Sequence, residues 1–178
     1  DNTPQVIDLY LKKNFDETQK DISLRKDRRG NFICKIIKIE FIYPSNQNFY
    51  ITGDDITLLI NIHNPSNQTI KNISLSIGID NYNDIRLAVM INTTINKNID
   101  ILPGENKIKY TLHNNCFAPG SYYITFFMTQ NNDIIDWIHS AYSFQIKESD
   151  YYKTGKIINS QTASILTNFS ISQEKSNS

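Results

Sequence analysis

Residues 117–126, Phe-Ala-Pro-Gly-Ser-Tyr-Tyr-Ile-Thr-Phe, and residues 141–146, Ala-Tyr-Ser-Phe-Gln-Ile, decide the fold class of this chain. In both stretches apolar and polar side chains alternate, which is the period of a strand with one buried face. A Pro-Gly pair opens the first stretch, and Leu102-Pro103-Gly104 precedes another alternating run. Turn residues that precede alternating runs are typical of consecutive antiparallel strands. The sequence therefore predicts a β-sandwich.

Similar alternation recurs along most of the chain, between turns rich in Asn, Asp, Pro and Gly. Strands are predicted over residues 32–43, 56–63, 73–80, 85–91, 107–112, 122–129 and 141–147. They indicate an all-β fold, a two-sheet antiparallel sandwich with immunoglobulin-like or jelly-roll-like topology. A Thr-Pro pair near the N-terminus predicts a short helix over residues 4–13. Ile165, Phe169 and Ile171 suggest one more strand, with a frayed tail as the alternative.

Length and composition limit the classes of protein to which this chain can belong. The chain has 178 residues and a formal net charge of zero, with acids and bases interspersed. Such a chain buries a core without disulfides or metals, and it lacks the basic footprint of a nucleic-acid-binding protein. The basic run at residues 25–29 is interrupted by an acid, so we expect a solvated linker face there. No apolar run approaches the ~20 residues of a membrane span, so we expect a soluble chain.

The two cysteines, Cys34 and Cys116, fit neither a zinc site nor a redox pair. They favour a reducing compartment, with a disulfide between them as the open alternative. We predict no metal and no cofactor.

Strand alternation separates the predicted core from the predicted working face. The core rows are Ile56, Leu58, Ile60 and Ile62; Ile73, Leu75, Ile77 and Ile79; Tyr122, Ile124, Phe126 and Met128; and Tyr142, Phe144 and Ile146. The opposite rows, which include Arg86, Ala88 and Met90, mix aromatic, small and planar polar side chains. A sugar ring stacks its C–H patch on an aromatic face and pairs its hydroxyls with polar groups. The predicted carbohydrate-binding residues are Asn61, His63, Asp80, Tyr82, Arg86, Tyr123, Phe127 and Trp137.

Each of these assignments has a structural alternative. Tyr123 and Phe127 are equally suited to pack under a loop or in a dimer interface, whereas Gly78 between the rows would leave room for a ligand. Trp137, in a predicted loop over residues 131–139, is suited to close one end of the core, and Tyr82 to an ordinary hairpin turn.

The sequence gives little indication of a catalytic site. Asp54 and Asp55 are adjacent at a strand start and point to opposite faces, so they cannot act as a carboxylate pair. Asp133, Asp136 and His139 resemble metal ligands, but their spacing matches no recognised site. No Gly-x-x-x-x-Gly-Lys-Ser/Thr loop occurs, so this chain lacks that ATP-binding motif.

Three motifs carry a family resemblance. Phe49-x-x-Thr52-Gly53-Asp54, Pro119-Gly120-x-Tyr122-Tyr123 and Tyr142-x-Phe144-x-Ile146 occur in this order. Together, over residues 29–155, they resemble the C-terminal carbohydrate-binding domain of Wzt-type ATPase subunits, which belong to ABC transporters that export O-antigen polysaccharides.

The resemblance implies a domain order and a function. Residues 1–30 would hold the last helix of a nucleotide-binding domain and a linker, residues 31–155 the carbohydrate-binding sandwich, and residues 156–178 a terminal strand that a homodimer exchanges. The implied function is non-catalytic recognition of bacterial O-polysaccharide, at its non-reducing end, for export. The other implied partners are the nucleotide-binding and membrane subunits of the transporter, at the cytoplasmic face of the inner membrane. A structural dimerisation domain without sugar recognition is the alternative.

Overall fold

The structure, a computed structural model, describes residues 22–44, 47–159 and 162–173. Two short 3₁₀ helices, Ile22–Leu24 and Asn92–Ile95, accompany nine strands. The strands are β1 (Lys35–Ile42), β2 (Tyr50–Ile51), β3 (Ile56–Asn64), β4 (Ile70–Asp80), β5 (Arg86–Ile91), β6 (Ile99–Ile101), β7 (Gly104–Leu112), β8 (Gly120–Gln130) and β9 (Asp133–Lys147). No helix in this part of the chain is long and apolar enough to cross a membrane. The N-terminal helix predicted over residues 4–13 lies outside the described residues.

The strands form two sheets, which confirms the predicted two-sheet sandwich. The smaller sheet has the order β1-β3-β7, and the larger has the order β2-β9-β8-β4-β5, with β6 paired to β4. All pairings are antiparallel except β2 with β9, which are parallel over two residues. The short parallel pair is the one departure from the predicted antiparallel pairing.

The four predicted core rows all lie between the sheets and pack into one hydrophobic cluster. Ile60 on β3 and Ile77 on β4, for example, have no exposed surface. Burying a side chain of this size contributes about 1.5–3 kcal/mol, so the isoleucine rows supply much of the stability. Cys34 is buried and Cys116 is half-buried, and both are free thiols.

The segment predicted as a loop over residues 131–139 is instead a turn followed by a strand. Asn131 and Asn132, with φ of 48° and 73°, form a two-residue turn, and β9 begins at Asp133. Consecutive left-handed residues match the twist of a hairpin, and Asn tolerates them. Trp137 therefore lies within β9, where it pairs with Phe127 of β8.

The faces of β5 also differ from the prediction. A register shift between Ile79 and Asp80 places Arg86 opposite Asp80, but Ala88 opposite Ile79 and Met90 opposite Ile77. Ala88 and Met90 consequently pack against the core, contrary to their assignment to the outward row. A bulge of this kind changes which residues share a face, and alternation alone does not reveal it.

Near the C-terminus, the described residues 164–166 pair with residues 116–118, which precede β8. Ile165 forms an isolated bridge with Phe117, and the neighbouring Leu166 is buried. Phe169 and Ile171 lie outside any strand and are 70% and 86% exposed. The exchange of this segment between two copies remains a prediction.

Candidate functional site

The outward face of the larger sheet brings most of the predicted site residues together. On neighbouring strands, Asp80 lies opposite Tyr123, and Phe127 lies opposite Trp137. Arg86 pairs with Asp80 at the β5 edge. These five residues occupy the side of the sheet that faces away from the core.

The aromatic part of this face consists of Phe127 and Trp137. Their rings meet edge to face, with centroids 5.8 Å apart and an interplanar angle of 90°. Phe127 is 37% exposed, so part of its ring is accessible from outside. The Arg29 guanidinium lies 5.3 Å from the centre of the Trp137 ring, within cation–π distance. Trp137 therefore faces outward between an aromatic and a cationic neighbour, and it does not close the end of the core.

A cleft of about 260 Å³ opens beside Trp137. Its lining residues are Asp27, Arg29, Trp137 and His139. Pockets for drug-sized ligands start at roughly 300 Å³, so this volume suits a smaller ring with its substituents. The cleft combines an aromatic surface, a carboxylate, a guanidinium and an imidazole within one small space.

Half of this lining comes from residues 25–32, which we name the N-terminal segment. Arg29 and Trp137 exchange two backbone hydrogen bonds, of 3.1 Å and 2.7 Å, and Asn31 and Phe32 donate theirs to β9 carbonyls at 3.0 Å. Gly30 is required between them, because its φ is +144° and a Cβ would lie 2.2 Å from the carbonyl oxygen of Ile135. The segment is therefore held against β9 by an isolated bridge at Arg29 and by the two neighbouring hydrogen bonds.

Buried charge anchors the same segment. Arg28 donates to both carboxylate oxygens of Asp136, and the two side chains are 4% and 0% exposed. Asp136 also accepts the Ile36 N–H at 2.9 Å, and Arg28 donates to the carbonyls of Ile22 and Ile36. Arg28 is thus an interior residue, and the expectation that the basic run is a solvated face is wrong for this side chain.

Arg25 holds the outer edge of the segment. Its guanidinium donates twice to the Asp27 carboxylate, at 2.7 Å and 2.6 Å, and once each to the carbonyls of His139 and Ser140, at 2.9 Å and 3.0 Å. The Arg25 hydrogen bond is the main cause that lowers the pKa of Asp27 below its ordinary value of 3.8. Asp27 therefore presents a carboxylate to the cleft near neutral pH.

A second polar cluster lies beside the cleft at the β5 edge. Asp80, only 2% exposed, accepts hydrogen bonds from Arg86 and from Thr125 Oγ1 at 2.8 Å. Arg86 lies directly over Gly78, so that a Cβ on Gly78 would be 2.1 Å from the guanidinium carbon. The space above Gly78, which the sequence suggested would leave room for a ligand, is thus filled by the Arg86 guanidinium.

The one metal-like group found among the described residues belongs to this cluster. Ligand atoms of Asp80, Asp84 and His139 lie within 4.8 Å of one another, and His139 Nε2 is 2.9 Å from Asp84. Arg86 already neutralises Asp80, which opposes a cation there. The Asp133, Asp136 and His139 set considered from the sequence does not converge, because Asp136 is bound by Arg28.

The remaining predicted residues lie apart from the cleft. Tyr82 is 67% exposed in the turn between β4 and β5. Asn61 and His63 follow the buried Ile60 and Ile62 on β3, so they face outward from the smaller sheet, on the opposite side of the sandwich. Sequence analysis missed Asp27 and Arg29 as lining residues, because nothing in the charge run at residues 25–29 indicates that it contacts β9.

Comparison with known proteins shows a likeness that extends over most of the chain. The model of the Wzt C-terminal domain family matches residues 25–158. The crystal structure of the C-terminal domain of wzt is similar with a TM-score of 0.59 and 15% identity, over 82% of this chain and 90% of that one. A beta-glucuronidase of glycoside hydrolase family 2 reaches a TM-score of 0.41 and 19% identity, over 62% of this chain and 11% of that one, too low to support an argument. No curated protein matches the chain.

Proposed function

Because the chain belongs to the Wzt C-terminal domain family, we propose that it is a non-catalytic carbohydrate-binding domain that recognises O-antigen-type polysaccharide for export by an ABC transporter. The observation that carries this proposal is the Trp137 cleft, with Phe127 at its edge and Asp27, Arg29 and His139 around it. The non-reducing end of the polysaccharide is the expected ligand. The transporter subunits and a second copy of the chain are the proposed partners, at the cytoplasmic face of the inner membrane.

The chemistry of the cleft suits a pyranose better than a flat or fully apolar ligand. Trp137 offers aromatic surface for the C–H patch of the ring, and the Phe127 ring stands perpendicular beside it. The Asp27 carboxylate accepts from sugar hydroxyls, and the Arg29 guanidinium donates to them. Polar groups that line the same cleft as the aromatic surface would fix the orientation of a ring that stacks there.

Binding without chemistry is also consistent with the electrostatics. Asp27 is the carboxylate that lines the cleft, and Arg25 lowers its pKa. A general acid for glycoside cleavage needs a raised pKa so that it carries a proton near neutral pH. Asp27 is therefore unsuited to that role and suited to accepting hydrogen bonds.

The proposal is tested by calorimetric titration of the 178-residue chain with purified O-polysaccharide from the source bacterium. Polysaccharide from an unrelated strain serves as the ligand control. We expect saturable, selective binding, and a loss of about tenfold or more in Trp137→Ala, since the stacking surface is removed. Arg29→Ala, which keeps the backbone bridge, should also weaken binding.

Phe169→Ala is the matched aromatic control. Phe169 is 70% exposed and packs on Tyr152, among residues that do not line the cleft. This variant should bind a short oligosaccharide of the same O-polysaccharide as the unchanged chain does, whether or not it remains a dimer. Absence of binding by the unchanged chain, or equal binding by Trp137→Ala, would contradict the proposal.

A structural dimerisation domain is the second candidate function. The exposed Phe169 and Ile171, beyond the last strand, are the observation that favours it. Native mass spectrometry of the same variants separates the two functions. Dimer loss in Phe169→Ala with no polysaccharide binding by any form would favour the structural role.

A further inference from the structure

The cleft is built from two parts of the chain that are far apart in sequence. Asp27 and Arg29 come from the N-terminal segment, and Trp137 and His139 come from β9. The cleft therefore exists only while the segment lies on the strand. Any residue that holds the two parts together controls the shape of the site without necessarily touching a ligand.

Arg25 is placed to do this. It is outside the cleft lining, yet its guanidinium joins Asp27 on one side to the carbonyls of His139 and Ser140 on the other. Its side chain is 18% exposed, so these bonds are partly shielded from water. Charge-assisted hydrogen bonds are the stronger class, and the planar guanidinium fixes the Asp27 carboxylate in one orientation.

The strand side of this contact is itself irregular. β9 changes register against β8 between the pairs Ile124–Tyr142 and Phe126–Ile138, and Ser140 has a φ of 44°. Bulges of this kind turn side chains and carbonyls away from the regular ladder. The carbonyls of His139 and Ser140 are thereby free to accept from Arg25, and His139 is directed toward the cleft.

We propose that Arg25 is a positioning residue for the carbohydrate site, and that ligand binding and the docking of the N-terminal segment on β9 are coupled equilibria. This inference rests on the proposed function. If the site is complete only when the segment is docked, the apparent dissociation constant rises as the docked fraction falls. By reciprocity, a bound ligand must stabilise the docked segment by the same factor.

Interior contacts keep the rest of the segment in place when Arg25 is changed. Arg28 retains Asp136 and two backbone carbonyls, so Arg25→Ala should loosen the outer edge without unfolding the sandwich. Lys26, an exposed residue on the same segment, provides the matched control as Lys26→Ala. Arg25→Lys keeps the charge but loses the fork that reaches both partners at once.

The experiment combines calorimetry with amide hydrogen exchange on the full chain, using O-polysaccharide from the source bacterium as the probe. We expect Arg25→Ala to bind on the order of tenfold more weakly, Arg25→Lys to fall between, and Lys26→Ala to match the unchanged chain. The amides of Arg29, Asn31 and Phe32, which donate to β9, should exchange faster in Arg25→Ala. In the unchanged chain, polysaccharide should slow the exchange of these three amides.

The outcomes distinguish the two proposals. If the unchanged chain binds no polysaccharide, the proposed function fails and this inference fails with it. If the unchanged chain binds but folded Arg25→Ala binds equally well, or polysaccharide leaves the three amides unprotected, the positioning role alone is overturned. Should Arg25→Ala lose its thermal transition, Arg25→Lys decides, since intermediate affinity supports the role and unchanged affinity contradicts it.

Discussion

Replacing Asp136 with Asn should destabilise the protein by about 3–5 kcal/mol, because the change leaves the Arg28 guanidinium buried without its counter-charge. The Arg28 side chain is 4% exposed and that of Asp136 is 0% exposed, so water cannot replace the lost partner. Asn can still accept the Ile36 N–H, but its amide group would face the donors of Arg28. The loss is a large fraction of the roughly 5–15 kcal/mol that typically stabilises a domain.

The assay is equilibrium urea unfolding followed by the emission of the single tryptophan, Trp137. Asp133→Asn, an exposed position on the same strand, is the matched control and should leave the midpoint unchanged. Adding Arg28→Met to Asp136→Asn should recover part of the lost stability, because the unpaired charge is then removed although two carbonyls lose their donor. A loss below about 1 kcal/mol in the single variant, or no recovery in the double variant, would refute the argument that buried charge dominates here.

Local geometry gives three further expectations. Burial raises the pKa of the Cys34 thiol to about 12, so this thiol is unreactive at mildly alkaline pH while the protein is folded. A thiol reagent should therefore modify the half-buried Cys116 in the native protein and Cys34 only after unfolding, and mass spectrometry measures both modifications. Gly30→Ala should lower the free energy of unfolding by about 1–3 kcal/mol in urea titrations, because of its positive φ and the carbonyl against it. Arg25 lowers the folded-state pKa of Asp27 below the unfolded value near 3.8, so the Asp27–Arg25 pair stabilises the docked segment at pH above that unfolded value. This stabilisation is lost as the pH falls through the lower folded-state pKa. Tryptophan emission should shift in that pH range, and the shift should be absent in Arg25→Ala.

The fold was accessible from the sequence because its main signal is local. A residue and its second neighbour share a face of a strand, so alternation alone was enough to assign the rows around Ile60, Ile77 and Phe126 to the core. The same rule gave the outward positions of Tyr123 and Phe127. It failed at β5 and at residues 131–139, where a bulge and a two-residue turn altered the register without a distinctive local pattern.

The candidate site was only partly accessible, because its decisive contacts are not local. Arg28 and its partner Asp136 are 108 residues apart in the sequence, and Arg25 and its partner Ser140 are 115 residues apart. A short run of charges indicates a solvated surface unless its partners are known. Trp137 could be proposed from its side chain alone, whereas the contributions of Asp27 and Arg29 required the pairing of the N-terminal segment with β9.

That pairing also explains how stability and binding divide between neighbouring residues. Arg29 and Trp137 face each other across the bridge, and the preceding residues, Arg28 and Asp136, form the interior ion pair. Adjacent residues of extended chain point to opposite sides, so one pair of positions secures the segment inside while the next builds the cleft outside. Substitutions at the two kinds of position should therefore have different effects. Loss of the interior pair must disturb the cleft, whereas removal of the Trp137 or Arg29 side chain leaves the interior pair intact and should affect binding more than stability.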